Sequence, residues 1–86
     1  MTQANTSSGF KALMAAVENE TLRDYVADSA LTNATDTMME RGYRPNTNHL
    51  ACWGDKQDEF WEMAISTAEM ILDDPKAYYP ELYRAA

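Results

Sequence analysis

The stretch from Asp55 to Asp73, DKQDEFWEMAISTAEMILD, is the longest part of the chain with one clear period. At about 100° per residue, Trp61, Ala64, Ile65, Ala68, Ile71 and Leu72 fall on a single stripe. Asp55, Asp58, Glu62, Glu69 and Asp73 fall on a second stripe roughly a third of a turn away. Phe60, Met63, Thr67 and Met70 occupy the remaining sector, which makes the non-acidic surface wider than one core usually needs. The spacing predicts an amphipathic helix of about 28 Å. The rest of the chain must cover at least its tryptophan side.

Upstream, Phe10, Leu13, Met14 and Val17 recur at helical spacing, with alanines between them that favour helix. Ser7 or Ser8 is the expected cap of this first helix, and residues 1–7 are expected to form a flexible lead-in. The apolar stripe is short, so this helix persists only if it docks on something. A second helix is predicted from Thr21 to Arg41, opened by Thr21 and Asp24 as a shortened capping box and closed by Arg41-Gly42. Leu22, Tyr25, Val26, Ala30 and Ala34 line one face of it, and Met38 continues that face. Its middle, TNATDT from Thr32 to Thr37, is poor helix composition, because these side chains compete for backbone hydrogen bonds. Two helices broken near Thr32 are the alternative.

Residues 43–54, YRPNTNHLACWG, show no helical period, and Pro45 bars helix at Arg44. Asp55 is the expected cap of the main helix, and Asp74-Pro75 ends it. Pro80 repeats that signal, so the tail reads as short and bent, carrying Tyr78, Tyr79, Leu82 and Tyr83. The fold expected is all-α: a small bundle of three to four helices forming a single domain over residues 8–86. Its core is drawn from Phe10, Leu13, Val17, Leu22, Val26, Met38, Trp61, Ile65, Ala68, Ile71 and Leu72. A chain of 86 residues has room for one such core and a thin margin of stability, which a partner or self-association would raise.

Charge and residue type exclude several functions. Fourteen acids against seven bases leave a formal charge of −7, the wrong sign for direct nucleic-acid binding. The lone histidine, His49, and the lone cysteine, Cys52, could in principle form a nucleophilic pair. No protease or transferase signature surrounds them, so the expectation is a non-enzymatic protein. No catalytic residue is assigned. A single cysteine also rules out an internal disulfide and a cysteine-rich zinc site. Asp55, Asp58, Glu59 and Glu62 lack the alternating, glycine-centred spacing of a calcium loop, so no metal or other cofactor is expected. Gly9, Gly42 and Gly54 stand apart, with no phosphate-cradling loop. No run approaches ~18 apolar residues and no signal peptide is evident, so a cytoplasmic protein without a membrane span is expected.

Two surface features remain as candidate sites. Asp55, Asp58, Glu62, Glu69 and Asp73 form an elongated negative ridge, with further acid pairs at Asp24/Asp28 and Asp36/Glu40. Like charges four residues apart slightly oppose helix formation, so several such pairs with few lysines suggest that the field is used. A ridge of this kind fits a basic, nucleic-acid-binding surface of a partner protein, as an inhibitor that acts by occupancy. Phage proteins that counter host defence, anti-CRISPR proteins among them, are one setting for such an inhibitor, by analogy only. The other candidate is apolar: Phe60, Met63 and Met70 as a partner surface or the contact of a homodimer.

Overall fold

The computed structural model describes residues 7–44 and 53–84. The chain runs through α1 (Ser7–Ala15), α2 (Glu20–Glu40), a 3-10 turn (Gly54–Lys56), α3 (Gln57–Asp73), α4 (Pro75–Tyr78) and α5 (Pro80–Tyr83). Three helices are substantial and the last two are single turns, with no strand among the described residues. The all-α expectation holds. The helix over 55–73 is present, and it begins two residues later, after the 3-10 turn.

The pairing of α2 with α3 is the most extensive in the molecule. On α2 the buried residues are Leu22, Val26, Ala30, Ala34 and Met38, an unbroken row at four-residue steps. Rows of that kind are the ridges by which helices interdigitate. Three contacts fix the antiparallel register. Arg41 lies 3.9 Å from Glu59, the Asn33 side-chain amide donates to Thr67 Oγ1 at 2.9 Å, and the Tyr25 hydroxyl donates to the Tyr78 carbonyl oxygen at 2.8 Å. Ala30, Ala34, Ala64 and Ala68 are all fully buried, so the two helices meet where their side chains are smallest.

This row explains why α2 does not break at TNATDT. Ala34 and Met38 carry the buried ridge through the polar segment, and packing outweighs a weak local preference. The cap differs from expectation. Asn19 in extended conformation accepts a hydrogen bond from the Leu22 N–H at 3.0 Å, and Thr21 lies inside the helix. Asparagine ranks with the best N-caps, and it stands at the residue where the chain turns from α1. The C-terminus closes as foreseen. Gly42 adopts φ +92°, its N–H donates to the Met39 carbonyl, and the Tyr43 N–H donates to the Met38 carbonyl. That pair of bonds is the Schellman motif, which satisfies the last carbonyls of a helix.

Phe10 and Met14 of α1, and Val17 just after it, are buried in the core, so the short helix does dock. The core is organised around a chain of rings. Phe10 and Trp61 lie 5.5 Å apart between centroids, Trp61 and Phe60 meet edge-on at 4.9 Å, and Phe60 stacks on Trp53 at 5.7 Å. Such geometries add to simple burial. Trp53, Met14, Ala30, Ala34, Phe60 and Ala64 join the expected core, whereas Leu13 and Leu72 are only partly buried. Asp55 does not cap α3: it lies in the 3-10 turn, and no side chain caps the start of α3. Asp74 precedes Pro75 as foreseen but makes no side-chain cap either. Tyr79 stacks on Tyr25 at 4.5 Å and ties the bent tail to α2.

The expected lead-in lies outside the described residues except for Ser7, which is already helical. His49 and Cys52 also lie outside them, as does the turn chemistry around Asn46.

Candidate functional site

The outer surface of α3 carries the candidate site. Asp58, Glu62, Glu69 and Asp73 project from one sector of the helix and are all exposed, as is Asp55 in the preceding turn. From Asp58 to Asp73 the ridge runs about 22 Å. Among the described residues, none of these five carboxylates makes an ion pair or a hydrogen bond to the protein.

The reason lies in where the cations go. The Arg23 guanidinium donates through Nη2 and Nε to the Val17 carbonyl, at 2.9 and 3.2 Å, and closes the end of α1. The Arg44 guanidinium donates to the Tyr43 carbonyl at 2.7 Å and the Met39 carbonyl at 3.2 Å, at the end of α2. Lys56 sits over the Tyr43 ring at 5.2 Å and Lys76 over the Tyr83 ring at 5.7 Å. Arg41 takes Glu59, the half-buried neighbour of the ridge. Five of the seven bases therefore serve backbone carbonyls, rings or Glu59, and the ridge keeps its charge.

The apolar candidate does not survive as three residues. Phe60 is fully buried between Trp53 and Trp61, and it forms part of the core. On the wheel it lies only about 20° from Ile71, so it borders the buried stripe. Met63 is half-buried and packs against the core, and Met70 is 52% exposed. The apolar surface on this side of α3 thus reduces to Met70 and the edge of Met63.

A groove that was not read from the sequence runs between α1 and α3 on the other flank of the ridge. It is open, has a volume of about 540 Å³, and is lined by Ser8, Gly9, Ala12, Leu13, Ala16, Ile65 and Glu69. The signal was present: Ser8, Gly9, Ala12 and Ala16 leave one face of α1 without a large side chain. Recognising it as a groove required knowing which side of α1 meets α3.

Among the described residues, no group of three or more histidine, cysteine or acidic side chains is placed to hold a metal ion. None of their helices is long and apolar enough to cross a membrane. No family model, curated protein or solved structure matches the chain.

Proposed function

We propose that this protein is a non-enzymatic binding module that sets the acidic face of α3 against a basic, nucleic-acid-binding surface of a partner protein and inhibits it by occupancy. One observation carries this reading: the ridge carboxylates are exposed and un-neutralised while most of the chain's own cations are engaged elsewhere. A protein whose acids served only solubility would lose nothing by pairing them with those cations. Exposed charge of one sign steers and orients association with a surface of the opposite sign.

The experiment is capture of binding proteins on the immobilised chain, followed by elution first with salt and then, in a parallel run, with duplex DNA. Docking on a nucleic-acid groove predicts release by both, because salt screens the contact and DNA competes for the same surface. Retention through high salt, or indifference to DNA, counts against it. Met70, at 52% exposure, favours a second reading: a homodimer in contact through Met70 and Met63, with the acids as solubilising groups. That association would be insensitive to salt.

A further inference from the structure

We infer that the groove between α1 and α3 receives an amphipathic helix of the partner, one with a seam of apolar side chains and lysine or arginine along one flank. The inference deepens the proposed function and rests on it for the charge of the partner.

Magnitude is the first reason to look beyond the ridge. Four carboxylates over about 22 Å stand about 6 to 10 Å apart along the axis, far sparser than the roughly 1.7 Å per charge of duplex DNA. Charge alone makes the ridge a poor competitor for a surface built to hold nucleic acid. Apolar contact beside the charge would make up the difference, and the groove lies beside it: Glu69 belongs to both.

The lining defines the occupant. Phe10 and Met14 take the inner face of α1, with Val17 buried just past its end, and Ser8, Ala12 and Ala16 are exposed on the groove side. Ala12 and Ala16 are exposed, and no side chain in this row exceeds serine in size. A second helix can approach such a face closely, as helix pairs with small contact residues do. Leu13 and Ile65 supply apolar walls for the seam. Among the described residues no cation lines the groove, and Lys11, the one base on α1, lies outside the lining. Along the acidic edge, Glu62 and Asp73 stand about 10 Å and 6 Å from Glu69 measured along the axis. Basic residues seven and four positions apart on a bound helix match those intervals. Seating an amphipathic helix by its apolar face is a common mode of peptide recognition.

The test uses a labelled helical peptide of about four turns, with leucine and alanine along the seam and lysines at four- and seven-residue intervals on the flank. A second peptide keeps the lysines and replaces the leucines with serine. Each is titrated into the full-length isotope-labelled protein and followed by amide shifts. The inference predicts shifts centred on Gly9, Ala12, Ala16, Ile65 and Glu69, and at least about tenfold weaker binding of the serine peptide. Ala12→Leu and Ala16→Leu, at exposed positions that leave the core untouched, should each weaken the first peptide by a similar factor. Equal binding of the two peptides, indifference to Ala12→Leu, or shifts centred on Met63 and Met70 would overturn the groove while leaving the acidic-face reading standing. Groove shifts that persist unchanged in the double variant Glu62→Lys, Glu69→Lys would overturn the basic flank, and the acidic-face reading with it.

Discussion

Phe60→Ala separates a core residue from an interface residue. The ring is fully buried, stacks on Trp53 at 5.7 Å, and meets Trp61 edge-on at 4.9 Å. Removing a buried phenylalanine costs about 3–5 kcal/mol in transfer and cavity terms. The two ring pairs place this site in the upper part of that range, since each such pair is worth roughly 0.5–1.5 kcal/mol beyond burial. A domain of 86 residues has about 4–13 kcal/mol in total at the usual 0.05–0.15 kcal/mol per residue. The variant should therefore lose a third or more of its stability, and at the low end should not fold at all. Urea unfolding followed by far-ultraviolet circular dichroism measures the loss directly. Phe60→Leu, which keeps most of the volume, should retain the fold and cost markedly less. If Phe60→Ala cost under about 1 kcal/mol and instead halved the mass in sedimentation, the ring would belong to an interface and the core assignment would be wrong.

Tyr25→Phe removes the hydroxyl that donates to the Tyr78 carbonyl while keeping the stack on Tyr79, so it should cost about 0.5–1.5 kcal/mol. Faster amide exchange confined to residues 78–83 would place that loss in the tail rather than the α2–α3 pair. Gly42→Ala meets no atom within 4 Å of the added Cβ, so its cost, about 1 kcal/mol by chemical denaturation, should come from φ +92° alone. Met70→Ser should change stability by less than about 0.5 kcal/mol, as exposed substitutions do. Its sedimentation mass should match the unsubstituted protein; a halved mass would favour the homodimer.

The main lines of the fold were legible because they depend on period. The α3 stripe, the four-residue row of α2 and the Arg41-Gly42 stop can all be read from residue type and spacing. What was not legible depended on tertiary choice. Local composition argued for a break in α2 near Thr32, yet Ala34 and Met38 hold the row together against α3. Trp53 sits in a segment without period, and spacing gives no sign of its burial or of its stack on Phe60. Phe60 stands at the boundary between the two sectors, about 20° from Ile71 on the wheel, and it goes with the buried side. Asn19 and Thr21 are both competent caps, and the path of the chain out of α1 selects the first. Of the candidate site, the acidic ridge was visible at once. The engagement of the arginines with carbonyls was not, because a guanidinium reaching back to a helix end leaves no trace in spacing.

The most direct test is the affinity of a partner recovered by capture, measured across ionic strength for the unsubstituted chain and for the triple variant Glu62→Lys, Glu69→Lys, Asp73→Lys. All three positions are exposed, so the variant should keep its helical spectrum. The account predicts affinity that falls steeply with salt in the unsubstituted chain and is abolished in the variant at every salt concentration. Equal affinity of the two proteins, flat with salt, would contradict it.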